Sequence, residues 1–279
     1  MKEHKIKSYA KINLFLNVVG KRKKNHKIQS LFCFVNLHDS IKIYTSQTSH
    51  HKVLFTGTFS KFKKANNSIM RLLSILDQKK LLKKKYFIKV KKNIPTNSGL
   101  GGGSMNAGSV LRFFVSKKLV KLSKKKIYKI CDQIGDDTKI GYFGLNSRLV
   151  LLDSNNKIRV IKKKLNHPIL LIKPSFGCST RKIFSKVKNF SNPKRDIIKL
   201  LPRLYLANND LECIVLKIFP SLIKPINFLK NLEGSKFVRM TGSGSCFVAF
   251  FNSEDHLDNA SKLFKKKYQN YWSVKSKIV

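Results

Sequence analysis

Ile94-Pro95-Thr96-Asn97-Ser98-Gly99-Leu100-Gly101-Gly102-Gly103-Ser104-Met105-Asn106-Ala107 is the stretch on which the reading of this chain turns. The run Tyr86-Phe87-Ile88-Lys89-Val90-Lys91 before it alternates apolar and polar residues, as a half-buried strand does. Val110, Leu111 and Phe114 after it begin an apolar-periodic segment. Gly99, Gly101, Gly102 and Gly103 open backbone angles with φ > 0, so consecutive N–H groups can turn toward an anion. The helix that follows adds its N-terminal dipole to the same anion. Strand, glycine loop and helix start together describe a phosphate cradle. No Gly-Lys-Ser/Thr closes it, so it is not a Walker A loop, and it lacks the spacing and downstream carboxylate of a dinucleotide fingerprint. A second cluster, Thr241-Gly242-Ser243-Gly244-Ser245, lies between two strand-like runs, where a tight hairpin explains much of it. Paired with the first, it points to a backbone that comes close to a ligand.

Working outward, Ser40–Thr45 alternates like a strand, and Asn67 or Ser68 can cap a helix carrying Ile69, Leu72, Leu73 and Leu76 on one face. Ser123 can cap a second, with Ile127, Ile130, Cys131 and Ile134 on its stripe and Gly135 at its end. Further on, the patterns predict a strand at 167–172, a helix at 221–232 stopped by Gly234, a hairpin from 237–240 and 246–251, a helix at 254–268 and a last strand at 272–278. Helices and strands mix without a βαβ rhythm, so the predicted class is α+β. The turn cluster Asp153-Ser154-Asn155-Asn156 marks the expected boundary between domains 1–153 and 154–279.

The 279 residues are 42% hydrophobic, enough to build two cores, and 20 phenylalanines exclude wholesale disorder despite a formal net charge of +44. That charge comes from 49 Lys and nine Arg against 14 acids, with the lysines scattered in short runs such as Lys83–Lys85 and Lys265–Lys267. Base and bidentate phosphate recognition favour arginine's planar fork. The excess therefore reads as a solvated surface of a lysine-biased composition, and no nucleic-acid partner is expected. A polyanionic small substrate profits from the same field. No apolar run approaches a membrane span or a signal-peptide core. The five cysteines are scattered with no C-x-x-C pair, which argues against disulfides and a zinc site and for the cytoplasm.

At its glycine loop the sequence resembles the GHMP small-molecule kinase superfamily, which carries an N-terminal Lys/Asn motif, a Pro-x3-Gly-Leu-Gly loop and a late Gly-Ser-Gly motif in this order. Within that superfamily it is most similar to kinases that act on a cytidine diphosphate-linked sugar alcohol. Ser8–Leu16, His26–Phe32, the Gly-Gly-Gly-Ser form of the loop, Gly135-Asp136-Asp137 and Asn209-Asp210-Leu211-Glu212 carry this resemblance through nearly the whole chain. It implies ATP-dependent phosphorylation of the 2-hydroxyl on the methylerythritol part, with Mg²⁺ accompanying ATP. It implies an S5-like N-terminal ATP-binding domain, a ferredoxin-like C-terminal domain and an active site in the cleft between them, in a monomer or homodimer. Asp137 would be the catalytic base, and Lys11 would keep it ionised and orient the attacked hydroxyl. Asn13, His26, Phe32, Thr180 and Phe184 would bind the substrate. Asn67, Pro95, Gly99, Leu100, Gly101, Gly102, Gly103, Ser104, Asn106, Gly242, Ser243 and Gly244 would bind ATP.

Three features of the pattern are altered, and Asp136 is a further oddity. Asn25 replaces the tyrosine that usually precedes the histidine, which removes a stacking face for cytosine. Met105 replaces a second serine, and Thr138-Lys139-Ile140-Gly141 replaces a proline-containing stretch. Asp136, where a small residue is usual, is expected to point away from the site. These departures predict retained but weakened activity. Two other readings are open: a GHMP kinase for a mevalonate- or homoserine-like alcohol, which needs no base pocket, and a basic RNA-associated protein without kinase activity.

Overall fold

The computed structural model describes residues 3–22, 25–60, 67–144, 149–163, 165–194 and 196–279. The chain forms two compact units, and no single cut after Asp153 separates them. The first holds residues 1–10, 37–96 and 101–145; the second holds 11–36, 97–100 and 146–279. The reason is two unusually long strands, β1 (His4–Arg22) and β2 (Asn25–Thr45), each of which contributes one part to one unit and the rest to the other.

In the first unit, the end of β2 pairs antiparallel with β4 (Tyr86–Lys91), from Ser40 opposite Lys91 to Thr45 opposite Tyr86. β3 (Lys52–Thr56) runs parallel to β4 on its other side. Helices α1 (Ser68–Gln78), α2 (Gly102–Ser116), α3 (Lys124–Ile134) and α4 (Thr138–Phe143) complete the unit. Alternation in β2 and β4 puts Ile41, Ile43, Ile88 and Val90 inward, against Leu72, Leu73, Val110, Phe114, Ile127 and Ile130 of the helices. Asn67 caps α1 through Oδ1, which accepts from the Met70 N–H at 2.9 Å, and Ser123 caps α3, as the pattern predicts.

In the second unit, β2 pairs with β5 (Leu149–Leu152), which pairs with β6 (Ile158–Ile161). A separate antiparallel sheet has the order β10-β7-β9-β8, with β7 Pro168–Lys173, β8 Ser235–Met240, β9 Phe247–Phe251 and β10 Trp272–Lys277. Numbered along the chain this is 4-1-3-2, the ferredoxin-like arrangement. Short helices α5 (Thr180–Phe184), α6 (Ile197–Leu200), α7 (Glu212–Ile218) and α8 (Ile223–Lys230) precede the hairpin, and α9 (Glu254–Lys267) follows it. The helix expected from Ser221 begins as a 3-10 turn at Pro220, whose missing N–H suits a first turn, and becomes α-helical at Ile223. Val215, Ile226, Leu229, Leu257 and Phe264 close over Leu170, Ile172, Phe247 and Phe251. The fold is α+β. Among the described residues no helix is long and apolar enough to cross a membrane.

Candidate active site

The glycine loop is anchored in the first unit by Asp39, a fully buried carboxylate on β2. Its Oδ1 accepts from the N–H groups of Asn93 (2.8 Å) and Ile94 (2.9 Å), and its Oδ2 from Asn106 Nδ2 (2.8 Å) and the buried ammonium of Lys92. One side chain thus ties the entry of the loop, just before Pro95, to the first turns of α2. Sequence reading misses Asp39, because His38 and Ser40 on either side of it are polar too and nothing local marks it as buried. Asn106 is turned inward to it, and its Oδ1 has no hydrogen-bond partner.

Gly101, at φ +73°, caps α2 without any side-chain hydrogen bond, so the first N–H groups of the helix are not closed by a capping side chain. Gly102 and Gly103 are already helical, and what they provide is close approach rather than left-handed backbone. A Cβ on Gly102 would lie 3.1 Å from Ile94 and from Lys92 Nζ, and one on Gly103 would lie 3.3 Å from Ser68 Oγ. Further along α2 the same device brings in the candidate acid. A Cβ on Gly108 would stand 2.5 Å from Thr138 O, and one on Gly141 would stand 2.9 Å from Met105 Cα. Helices α2 and α4 therefore touch backbone to backbone, and the start of α4 lies alongside Ser104, whose Oγ is 3.5 Å from where Gly135 would carry a Cβ. Asp137 occupies the N-cap position of α4, yet its side chain makes no cap bond. It is half-buried whereas Asp136 is exposed. Surrounding protein first, and the Asp137 charge second, hold the Asp136 carboxyl above the ordinary aspartate value even though the residue faces solvent. Lys139, almost wholly buried, pairs with Asp132 at 2.7 Å.

The second unit brings together Lys11, Asn13 and the late glycine motif. Asn13 Oδ1 accepts from Lys11 Nζ (2.8 Å), Thr241 Oγ1 (3.1 Å) and the Gly242 N–H (2.8 Å), while Asn13 Nδ2 donates to Ser30 Oγ (2.8 Å). Lys11 Nζ stands 5.2 Å from the centre of the Phe32 ring, a cation–π contact. Gly99 and Gly242 explain each other: at φ +77°, Gly99 packs so tightly that a Cβ would fall 2.0 Å from Thr241 O, and one on Gly242 would fall 2.8 Å from Gly99 O. Leu100, fully buried, accepts the Lys11 N–H at 3.2 Å. Asn209 Nδ2 donates to Met240 O and Gly242 O, so Asn209 serves as a clamp on the late loop. Ser243 Oγ and Thr180 Oγ1 share a hydrogen bond of 2.9 Å, and Gly244 is buried behind them at φ +80°. The second glycine cluster is thus more than a hairpin turn, because it is the seat against which residues 97–100 lie.

In the same unit, the His26 ring lies 5.2 Å from Phe184 and 6.4 Å from Phe190. Its Nε2 is buried without a hydrogen-bond partner. Burial first and the charge of Lys21 second hold this imidazole below the usual histidine value, favouring its neutral form. Phe190 escapes sequence reading, because nothing local marks an irregular loop residue as part of a ring cluster. Among the described residues no group of three His, Cys, Asp or Glu forms a metal cluster.

Residues 67–144 match the family described as GHMP kinases N terminal domain, and residues 193–270 match GHMP kinases C terminal. Both parts of a GHMP kinase are thus present in order. The chain is 48% identical, over all of both chains, to a 4-diphosphocytidyl-2-C-methyl-D-erythritol kinase of Pelagibacter ubique (strain HTCC1062). It is 32% identical, again over all of both, to the protein of that name from Wolbachia sp. subsp. Brugia malayi (strain TRS). A crystal structure of 4-(cytidine 5'-diphospho)-2C-methyl-D-erythritol kinase superposes with a TM-score of 0.78 at 22% identity, covering 98% of this chain and 99% of that one. The chain belongs to the GHMP kinases and, within them, to the family of the 4-diphosphocytidyl-2-C-methyl-D-erythritol kinases.

Proposed function

We propose that this chain is a small-molecule kinase that transfers the γ-phosphoryl group of ATP to the 2-hydroxyl of 4-diphosphocytidyl-2-C-methyl-D-erythritol. Its family membership supports this. The observation that carries the choice of substrate is the His26 ring cluster, built into the same unit as the Lys11–Asn13 network. A mevalonate- or homoserine-like alcohol has no aromatic base to occupy such a cluster.

Asp137 is the general base. A hydroxyl attacking phosphorus loses its proton as the bond forms, and a positioned carboxylate takes it, an effect of roughly 10²–10⁴-fold. Lys11 supplies positive charge where the acceptor oxygen becomes anionic, and its bond to Asn13 Oδ1 holds the ammonium in place. Asn13, Phe32 and Thr180 line the acceptor and His26 with Phe184 holds the cytosine. Pro95, Gly99, Leu100, Gly101, Gly102, Gly103, Ser104 and Asn106 bind the triphosphate together with Gly242, Ser243 and Gly244, and Asn67 binds toward the adenine. The uncapped N–H groups of α2 are suited to phosphate oxygens. Mg²⁺ carried in with ATP would neutralise phosphate charge, and the Ser104 hydroxyl at the start of α2 is the side chain that would help hold it, since Mg²⁺ keeps several waters and uses few protein ligands beside the phosphates. Five free cysteines and a substrate pool of charged metabolites fit a cytoplasmic enzyme.

The test is ATP consumption with the cytidine-linked alcohol, for the wild type, Asp137→Ala and Lys11→Ala. Turnover that depends on the alcohol and falls in both variants supports the reading. Turnover surviving Asp137→Ala intact removes the assigned base, and salt-sensitive RNA affinity without turnover favours the RNA-associated alternative.

A further inference from the structure

We infer that Phe190 supplies a stacking face for the cytosine of the substrate, the role that the exposed Asn25 at the start of β2 has no ring to perform. This rests on the function proposed above and adds a specificity-determining residue to it.

Phe190 lies in an irregular segment after α5 and is 45% exposed, so its ring is not part of the core. A single exposed phenylalanine ordinarily needs no explanation. This one differs in two ways.

The first is that its backbone is pinned. The Ser191 N–H donates to Val18 O at 2.8 Å, fastening the next residue to β1. Four residues on, Gln29 forms a two-way bridge: its Nε2 donates to Lys194 O at 2.9 Å and its Oε1 accepts the Lys194 N–H at 2.8 Å. Gln29 is only 4% exposed and follows His26 by three residues on β2. The segment is thus locked to the strand that carries His26, and the phenyl ring is held where a loop without regular structure would otherwise let it wander.

The second is what the ring faces. Phe190 and Phe184 both lie within aromatic contact range of the His26 imidazole, at 6.4 and 5.2 Å between centres. His26 Nε2 is buried with no partner. Buried polar atoms are as a rule hydrogen-bonded, and an exception calls for a ligand or a water. Two phenyl faces and one ring nitrogen lacking a partner suit a planar heteroaromatic base with hydrogen-bonding edges. An aliphatic group would leave the nitrogen unsatisfied. The uncovered part of Phe190 is then the face a base lies on.

The experiment compares wild type, Phe190→Leu and Phe190→Tyr in two measurements: steady-state kinetics with the cytidine-linked alcohol, and calorimetric binding of cytidine 5'-diphosphate. Leucine fills the same space without a π face. Since base–aromatic stacking changes affinity by roughly tenfold or more, Phe190→Leu should raise both the KM for the alcohol and the Kd for cytidine diphosphate by about that factor. The kcat, the KM for ATP and the melting temperature should stay at their wild-type values, and Phe190→Tyr should behave as wild type. A Phe190→Leu protein with unchanged KM and Kd overturns the inference while wild-type turnover leaves the proposed function standing. The same holds if Phe190→Leu lowers kcat and melting temperature together, which marks a packing role. A wild type that binds no cytidine diphosphate overturns both.

Discussion

A carboxylate that is to take a proton from an alcohol has to be ionised, positioned and not tied up as a helix cap. The Asp137 side chain makes no cap bond at the start of α4, whereas Asp136, one residue earlier, faces solvent. Asp137→Asn should therefore lower kcat by roughly 10²–10⁴-fold, and Asp136→Asn should leave it within about threefold, both read from initial rates at saturating substrates. His26 gives a pH signature. Its folded-state value lies below that of an ordinary histidine, so in acid the unfolded chain takes up the proton first. The stabilisation from keeping His26 neutral is present above about pH 6.5 and is lost as pH falls from there through the folded value. Thermal melting from pH 7.5 down to 5 should thus fall more steeply for the wild type than for His26→Asn. The KM for the cytidine-linked alcohol should rise over the same acid range, as the ring gains a charge unsuited to its buried nitrogen.

At the scale of elements, the loop and the acid are set by two devices, a buried carboxylate and a pair of facing glycines. Asp39→Ala leaves the Lys92 ammonium without its buried partner and strips the Asn93 and Ile94 N–H groups of their acceptor. Breaking a buried pair from one side destabilises by about 3–5 kcal/mol, so denaturant titration should show a loss of that order. Gly108→Ala puts a methyl 2.5 Å from Thr138 O, where neither backbone can yield cheaply. Overpacking of this kind costs about 1–3 kcal/mol. Because the strain falls at the first residue of α4, beside Asp137, kcat should drop along with stability.

Across the whole molecule the dominant quantity is charge. At +44 the folded chain repels itself and attracts anions over distances comparable to the Debye length. Raising NaCl from 20 to 500 mM should therefore, by roughly that screening argument, increase the melting temperature and also raise the KM for ATP and for the cytidine-linked substrate. The two effects have opposite consequences for the enzyme, and measuring both under the same salts separates screening of the scaffold from screening of its ligands.

Much of the chemistry was legible along the chain, because it depends on local rules. Glycines between a strand and a helix imply a backbone open to an anion, and Ser123 and Asn67 announce caps that the structure contains. Periodicity likewise places Ile88, Leu72 and Ile130 in a core. What the sequence could not reveal depends on atoms far apart in the chain. Gly99 against Gly242, Gly108 against Thr138, Asp39 beneath the loop and Phe190 beside His26 are pairings across tens to hundreds of residues. A glycine needed for φ > 0 and one needed because another backbone passes within van der Waals contact look alike in sequence. Only the tertiary structure separates them, since steric exclusion is decided by the neighbour and not by the residue itself. Likewise the change from one unit to the other falls inside the two long strands β1 and β2, where no local turn signal marks it, because membership of a unit is decided by contacts distant in the chain.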